Sequence, residues 1–261
     1  MTEHVKPDIR HERRGSALWV WIDREHRRNA LNSAVLTGIE TAMRHAENDR
    51  SIRCIVLTGA GEKAFCAGAD LSDGTANFRD ESDEPTTQFG RLLRVVRTAR
   101  VPLIARVNGA CVAGGMALMA MCDLAIAAEH ARFGLPEVKV GVFPMQVLVL
   151  LRGILQARHI NELCLTGALI DAARAAEIGL VNELSPAAEL DARIDALVAK
   201  LHDASPAAMH RGKQAIFAME MMSFYEALAF AEGQIALAAS SADAREGLAA
   251  FNEKRKPGWA G

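Results

Sequence analysis

Two periods of hydrophobic spacing alternate along this chain. At 17–24, ALWVWIDR is nearly all aromatic, aliphatic or β-branched and follows a turn at Arg14-Gly15, which reads as a strand. At 29–49, NALNSAVLTGIETAMRHAEND places Leu36, Ile39 and Met43 on one helical face, with Asn32 or Ser33 as the cap. IRCIVLTG at 52–59 is a short apolar run ending in glycine, the pattern of a strand covered on both faces. After AFCAGADL, residues 72–90 are rich in Asp, Glu, Ser, Thr and Gly and read as a long acidic loop of the kind that covers a site. The alternation then resumes. QFGRLLRVVRTA reads as helix, VPLIARVNG as strand, GGMALMAMCD as helix and LAIAAE as strand. ARFGLPEVKVG reads as strand or turn, and PMQVLVLLRGIL and HINELCLTG as helices. Such repetition predicts an α/β fold of parallel βαβ units. From residue 186 the pattern is helical only, over 186–203, 206–222 and 224–253. The expected division is an α/β core over 1–185 and a helical region over 186–261. Helices that cannot bury both faces on their own core predict packing on another subunit, hence a homo-oligomer.

The stretch NGACVAGGMALMAMCDLAIAAE at 108–129 stands out because Asp123 is its only charge before Glu129. Its uninterrupted apolar part, 109–122, is shorter than the roughly 18–20 residues that a membrane span requires. It reads instead as a buried strand-turn-helix, and no membrane partner is expected. The polar N-terminal stretch MTEHVKPDIRHERRGS has no apolar core of a signal peptide.

Composition narrows the picture. Of 261 residues, 50% are hydrophobic and 24% charged, with a net charge of −2. That is ample core material without the basic excess that a nucleic-acid partner would need. The five cysteines, Cys54, Cys66, Cys111, Cys122 and Cys164, show no CxxC spacing and sit in apolar surroundings. They read as buried free thiols of a reducing, cytoplasmic setting. The eight histidines form no HxxxH or HxH group, so no metal is expected.

Chemistry concentrates in two turns of small residues. Ala113-Gly114-Gly115 leads from a strand into a helix whose first N–H groups lack internal partners. Glycine lets another molecule approach that backbone. CAGAD at 66–70 follows a strand in the same way. Two strands of one sheet could set the turns side by side, giving a two-donor oxyanion site. Close packing alone would also explain small residues there, and Glu137 after Pro136 could be an ordinary surface glutamate.

AFCAGADL, taken with VNGACVAGGMALMAMCDLAIAAEHARFGLPEVKVG, LTGALIDAARAAEIGLVNEL and FNEKRKPGW, resembles the crotonase superfamily, the enoyl-CoA hydratase/isomerase group. The resemblance implies a repeated ββα spiral with a C-terminal helical trimerisation region, assembled as trimers or hexamers. It assigns the oxyanion-hole amides to Ala69 and Gly114, which would bind the thioester oxygen of an acyl-CoA. Coenzyme A enters as part of the substrate, and no separate cofactor is implied.

The resemblance also exposes a departure. Hydratases of the family use two glutamates. The first falls at Ala117 here, and the second at Glu137. A lone carboxylate can take a proton from one carbon and return it to another, which is double-bond isomerisation. Burial would raise its pKa. Met145-Gln146-Val147 replaces a glycine-rich turn, so Met145 and Val147 are expected to line the acyl pocket beside Ala117. For the CoA moiety the expected contacts are Arg27 or Arg28 on phosphate, Ala67 and Leu71 along the adenine-pantetheine path, and Phe251 and Lys254 near the C-terminus. Asp70 is expected to order its own turn, within the binding region, as a cap. Asp123 is expected to be a hydrogen-bonded structural group. The isomerase-type shuttle is slightly preferred. A 2-enoyl-CoA hydratase, a non-catalytic acyl-CoA-binding protein and another enolate reaction remain open.

Overall fold

The computed structural model describes residues 7–70 and 86–260. Most of the expected acidic covering loop at 72–90, and Leu71 beside it, lie outside the described residues. Two sheets organise the chain. The larger has six strands in the order β1 (Ile9–Arg14), β2 (Ala17–Ile22), β3 (Cys54–Gly59), β5 (Leu103–Val107), β7 (Leu124–Ala128) and β10 (Glu183–Ser185). The smaller has four short strands: β4 (Ala64–Cys66), β6 (Ala110–Val112), β8 (Arg132–Gly134) and β9 (Leu169–Asp171). Pairing is parallel except in the β1–β2 hairpin and between β8 and β9.

Alternation within the larger sheet explains its nearly unbroken apolar strands. Leu18, Val20, Ile55, Leu57, Leu103 and Ala105 face the main core. Their neighbours Ala17, Trp19, Cys54, Val56, Ile104 and Ile126 face a second core, which is closed by Leu190 and Ile194. With both faces covered, each strand needs apolar residues at every position.

Helices fill the crossovers. They are α1 (Ser33–Asn48), α2 (Gln88–Arg97), α3 (Gly114–Ala120), α4 (Met145–Leu151), α5 (Ala157–Thr166) and α6 (Ala172–Glu177). Helix α1 starts at Ser33, at the cap expected from the sequence. Asn29 sits in the left-handed region at φ 57°, and the Asn32 side chain caps the helix by accepting from Val35 N at 2.9 Å.

Beyond β10 the described chain is helical, with α7 (Leu190–Asp203), α8 (Pro206–Met219), α9 (Phe224–Ala239) and α10 (Ala242–Asn252). The expected helix over 224–253 is two helices, because Ser241 opens a new one by accepting from Ala244 N. Lys213 and Arg53 are among the cations that tie this region to the core. Lys213 Nζ lies 2.6 Å from Asp123 Oδ2 and 3.3 Å from Val101 O. Arg53 donates to Ala204 O at 2.5 Å and Trp259 O at 3.1 Å. Asp123 also accepts from Leu103 N at 2.8 Å, the structural role expected of it. The outer faces of these helices stay apolar: α9 buries no residue, and Tyr225 and Phe251 are 80% and 82% exposed. No described helix is long and apolar enough to cross a membrane.

Candidate active site

Three adjacent parallel strands of the small sheet end at one edge. Strand β4 pairs with β6 through Cys66↔Cys111, and β6 pairs with β8 through Cys111↔Phe133 and Val112↔Gly134. Two or three residues past these carboxyl ends come Ala69, Gly114 and Glu137. The carboxyl edge of parallel strands is where α/β folds place their ligands. The turns do lie on strands of one sheet, but the strand leading into Gly114 is β6. The longer strand β5, which pattern reading put there, belongs to the other sheet.

The geometry of the two turns is tight. Gly68 has φ +95°, and a Cβ on it would stand 2.7 Å from Ala113 Cβ and 3.4 Å from Gly114 N. A Cβ on Gly114 would lie 3.6 Å from Ala69 N. The two amides therefore lie in neighbouring turns that approach each other closely. Each is available. Leu31 forms a parallel bridge with Ala69 in which Leu31 N donates to Gly68 O and Asp70 N donates to Leu31 O, both at 2.8 Å. That pattern uses the flanking groups and turns the Ala69 N–H to the opposite side. Gly114 is the first residue of α3, where N–H groups have no intrahelical acceptor. Neither amide donates to an acceptor among the described residues.

Strain marks the second turn. Ala113 has φ 51° and ψ −125°, a conformation that costs a non-glycine residue about 1–3 kcal/mol. Its own N–H donates to Gly134 O at 2.9 Å, so β8 holds it there. Behind it, a Cβ on Gly115 would overlap the carbonyl of Cys66, so only glycine lets α3 lie this close to β4.

Glu137 sits in the 3-10 turn Pro136–Val140 and is half-buried. Its Oε2 is buried without a hydrogen-bond partner among the described residues. Loss of hydration raises its pKa, and a bond from its own backbone N–H opposes the shift without cancelling it. Burial, helped by the Glu137 charge, pushes the Cys164 thiol of α5 up to about 11. Ala117 is fully buried, so the position three residues past Gly114 brings no second acid.

The other expected residues fall in varied places. Asp70 does not point outward as a ligand group. It is buried and ion-paired, its Oδ2 2.8 Å from Arg24 Nη2. Ala67 is partly exposed and donates to Arg28 O at 3.1 Å. Arg27 and Arg28 are exposed beside that turn. Val147 is buried in the core, whereas Met145, at the start of α4, is 66% exposed. Phe251 in the last turn of α10 and Lys254 just past it are exposed, on a helix packed against α9.

Sequence reading passed over two residues. Arg24 lies two residues past the apolar strand β2, a position where an unpaired charge would be costly, and that was its available signal. Gln146 donates to Thr87 Oγ1 at 2.5 Å and so joins α4 to the cap of α2, a pairing without local signature.

The sequence profile of the enoyl-CoA hydratase/isomerase family matches residues 12–261. The chain belongs to this family. Among its relatives, the short-chain-enoyl-CoA hydratase of Clostridium acetobutylicum is 34% identical over 253 residues, covering 94% of each chain. Enoyl-CoA hydratase EchA19 of Mycobacterium tuberculosis is 36% identical over 261 residues, covering 97% of this chain and 96% of its own. The crystal structure of an enoyl-CoA hydratase of Mycobacterium smegmatis superposes with a TM-score of 0.88 at 32% identity, covering 98% of this chain and 100% of its own. Membership of the family and the superposition together establish the crotonase fold for this chain.

Proposed function

We propose that this family member acts on an enoyl-CoA thioester, with the Ala69 and Gly114 amides as a two-donor oxyanion hole and Glu137 as the acid and base. The observation that carries this is the shared edge: two adjacent N–H groups without an acceptor among the described residues, and a desolvated carboxylate, follow three neighbouring parallel strands. With the thioester oxygen on both amides, the α-proton becomes acidic because the developing enolate charge falls on that oxygen. Carboxylate Glu137 takes the proton from the α-carbon of a 3-enoyl thioester, leaving a dienolate. The resulting carboxylic acid returns the proton to the γ-carbon, and the double bond ends in conjugation. Carboxylate and charge are restored, so one acid/base group suffices.

A second reading, 2-enoyl-CoA hydratase, is favoured by the names of the relatives described above. Absorbance separates the two. Conjugated absorbance should grow when the protein meets a cis-3-enoyl-CoA and stay constant with a trans-2-enoyl-CoA. Loss of absorbance from the trans-2 substrate would instead establish hydration. No change with either would leave an acyl-CoA-binding role.

The exposed apolar faces of α8–α10, among them Ile216, Tyr225, Ile235 and Phe251, support a homotrimer or dimer of trimers. Arg27, Arg28, Phe251 and Lys254 are proposed to serve the CoA moiety, the last two across a subunit boundary. Sedimentation should report three or six chains.

A further inference from the structure

We infer that Arg24 and Asp70 are positioning residues for the Ala69 amide, an inference that rests on the oxyanion reading above. Both residues are 8% exposed. The Arg24 guanidinium spans the bridge that shapes the first turn. Nη2 meets Asp70 Oδ2 at 2.8 Å, one residue past Ala69, and Nη1 donates to Ala30 O at 2.6 Å, one residue before Leu31. Nε stands 3.3 Å from Asp8 Oδ2. One planar cation thus grips the residue next to each partner of the Leu31↔Ala69 bridge. The base of the grip is fixed as well. Asn29 Oδ1 accepts from Arg24 N at 3.1 Å, and Asn29 Nδ2 donates to Ala64 O at 2.7 Å. The result is a closed loop from β2 through the guanidinium to the segment after β4.

Stability alone is a weak reason for such a pair, since the desolvation of two charges offsets most of their attraction and apolar replacements often hold a fold as well. What a guanidinium–carboxylate fork adds is orientation. Orientation matters here because the Ala69 N–H must share one acceptor with Gly114 N, and an error near 1 Å in a catalytic geometry can cost about a hundredfold in rate.

The test uses the full-length protein in three forms: wild type, Asp70→Asn, and the apolar double variant Arg24→Met/Asp70→Leu. Each is assayed for kcat and KM, and for the red shift of bound cinnamoyl-CoA, whose conjugated chromophore reports polarisation of the thioester carbonyl. Asp70→Asn should lower kcat about tenfold or more, short of the hundredfold or greater loss of a removed donor, with KM within about threefold, and should shrink the red shift. The double variant should fold with a thermal midpoint near wild type yet stay slow and poorly shifted. A double variant with wild-type kcat and red shift would overturn the proposal. If neither variant folds, Arg24→Lys, which keeps the charge and loses the fork, decides by the same two readouts. Absence of any red shift in wild type would instead sink the oxyanion reading itself. A wild-type shift that persists unchanged in the variants would sink only the role of the pair.

Discussion

Around Ala69 the chain is held by polar groups, whereas around Gly114 it is held by packing and backbone strain. The first turn leans on the Arg24–Asp70 pair and on two backbone bonds to Leu31. The second has no ion pair of its own among the described residues. It relies on Gly115 against the Cys66 carbonyl, and on Ala113 pinned at φ 51° by Gly134. Two donors for one oxygen thus come from turns with different failure modes. Polar support gives way when a partner is removed. Packed support gives way when an atom is added.

Substitutions can separate these modes, and the largest effect should come from leaving both turns alone. Glu137→Gln should cut kcat by about 10²–10⁴ while bound cinnamoyl-CoA keeps its full red shift, because neither amide moves. The same residue governs pH dependence. Its folded pKa lies above the ordinary 4.5. Acting first as a base, it should make kcat/KM fall with acid at a pH above the usual glutamate range. For stability, the folded state holds the proton more tightly than the unfolded chain between 4.5 and the raised value. Wild type therefore loses stability as pH rises through that window. Glu137→Gln removes this loss, so its advantage over wild type should grow from about pH 4.5 upward and level off once the pH passes the raised value, as urea unfolding at several pH values would show.

Gly115→Ala comes next. The added methyl meets backbone, which cannot step aside, so destabilisation should reach about 3 kcal/mol in urea unfolding. Gly68→Ala should cost about 1–3 kcal/mol and also lower kcat, since its methyl would press on Ala113 and part the two amides. Ala113→Gly is the mildest. It relieves a strained φ but adds unfolded-chain entropy, and the net change should be within about 1 kcal/mol, with activity retained. A large loss of kcat there would mean that the Ala113 methyl helps to aim the Gly114 amide.

Sequence reading reached part of this arrangement. The 108–129 segment is the buried strand-turn-helix expected of it, because glycine pairs and apolar runs are local signals. The strands of the small sheet, three residues each, are too short to show a period, so the sheet that aligns Ala69, Gly114 and Glu137 could not be read. Strand β1, IRHERR, was missed for another reason: as an edge strand it carries mostly polar residues. The Arg24–Asp70 pair joins residues 46 apart, so the charge of Arg24 after an apolar strand was legible but its partner was not. Charge drew attention to the exposed Arg27 and Arg28 instead.

The central claim is that two main-chain donors from distant parts of the chain meet one acceptor. A crystal structure of the Glu137→Gln protein with an unreacted enoyl-CoA tests it most directly. The account predicts Ala69 N and Gly114 N each about 2.7–3.1 Å from the thioester oxygen. An oxygen bound by only one of them, or by neither, would contradict it.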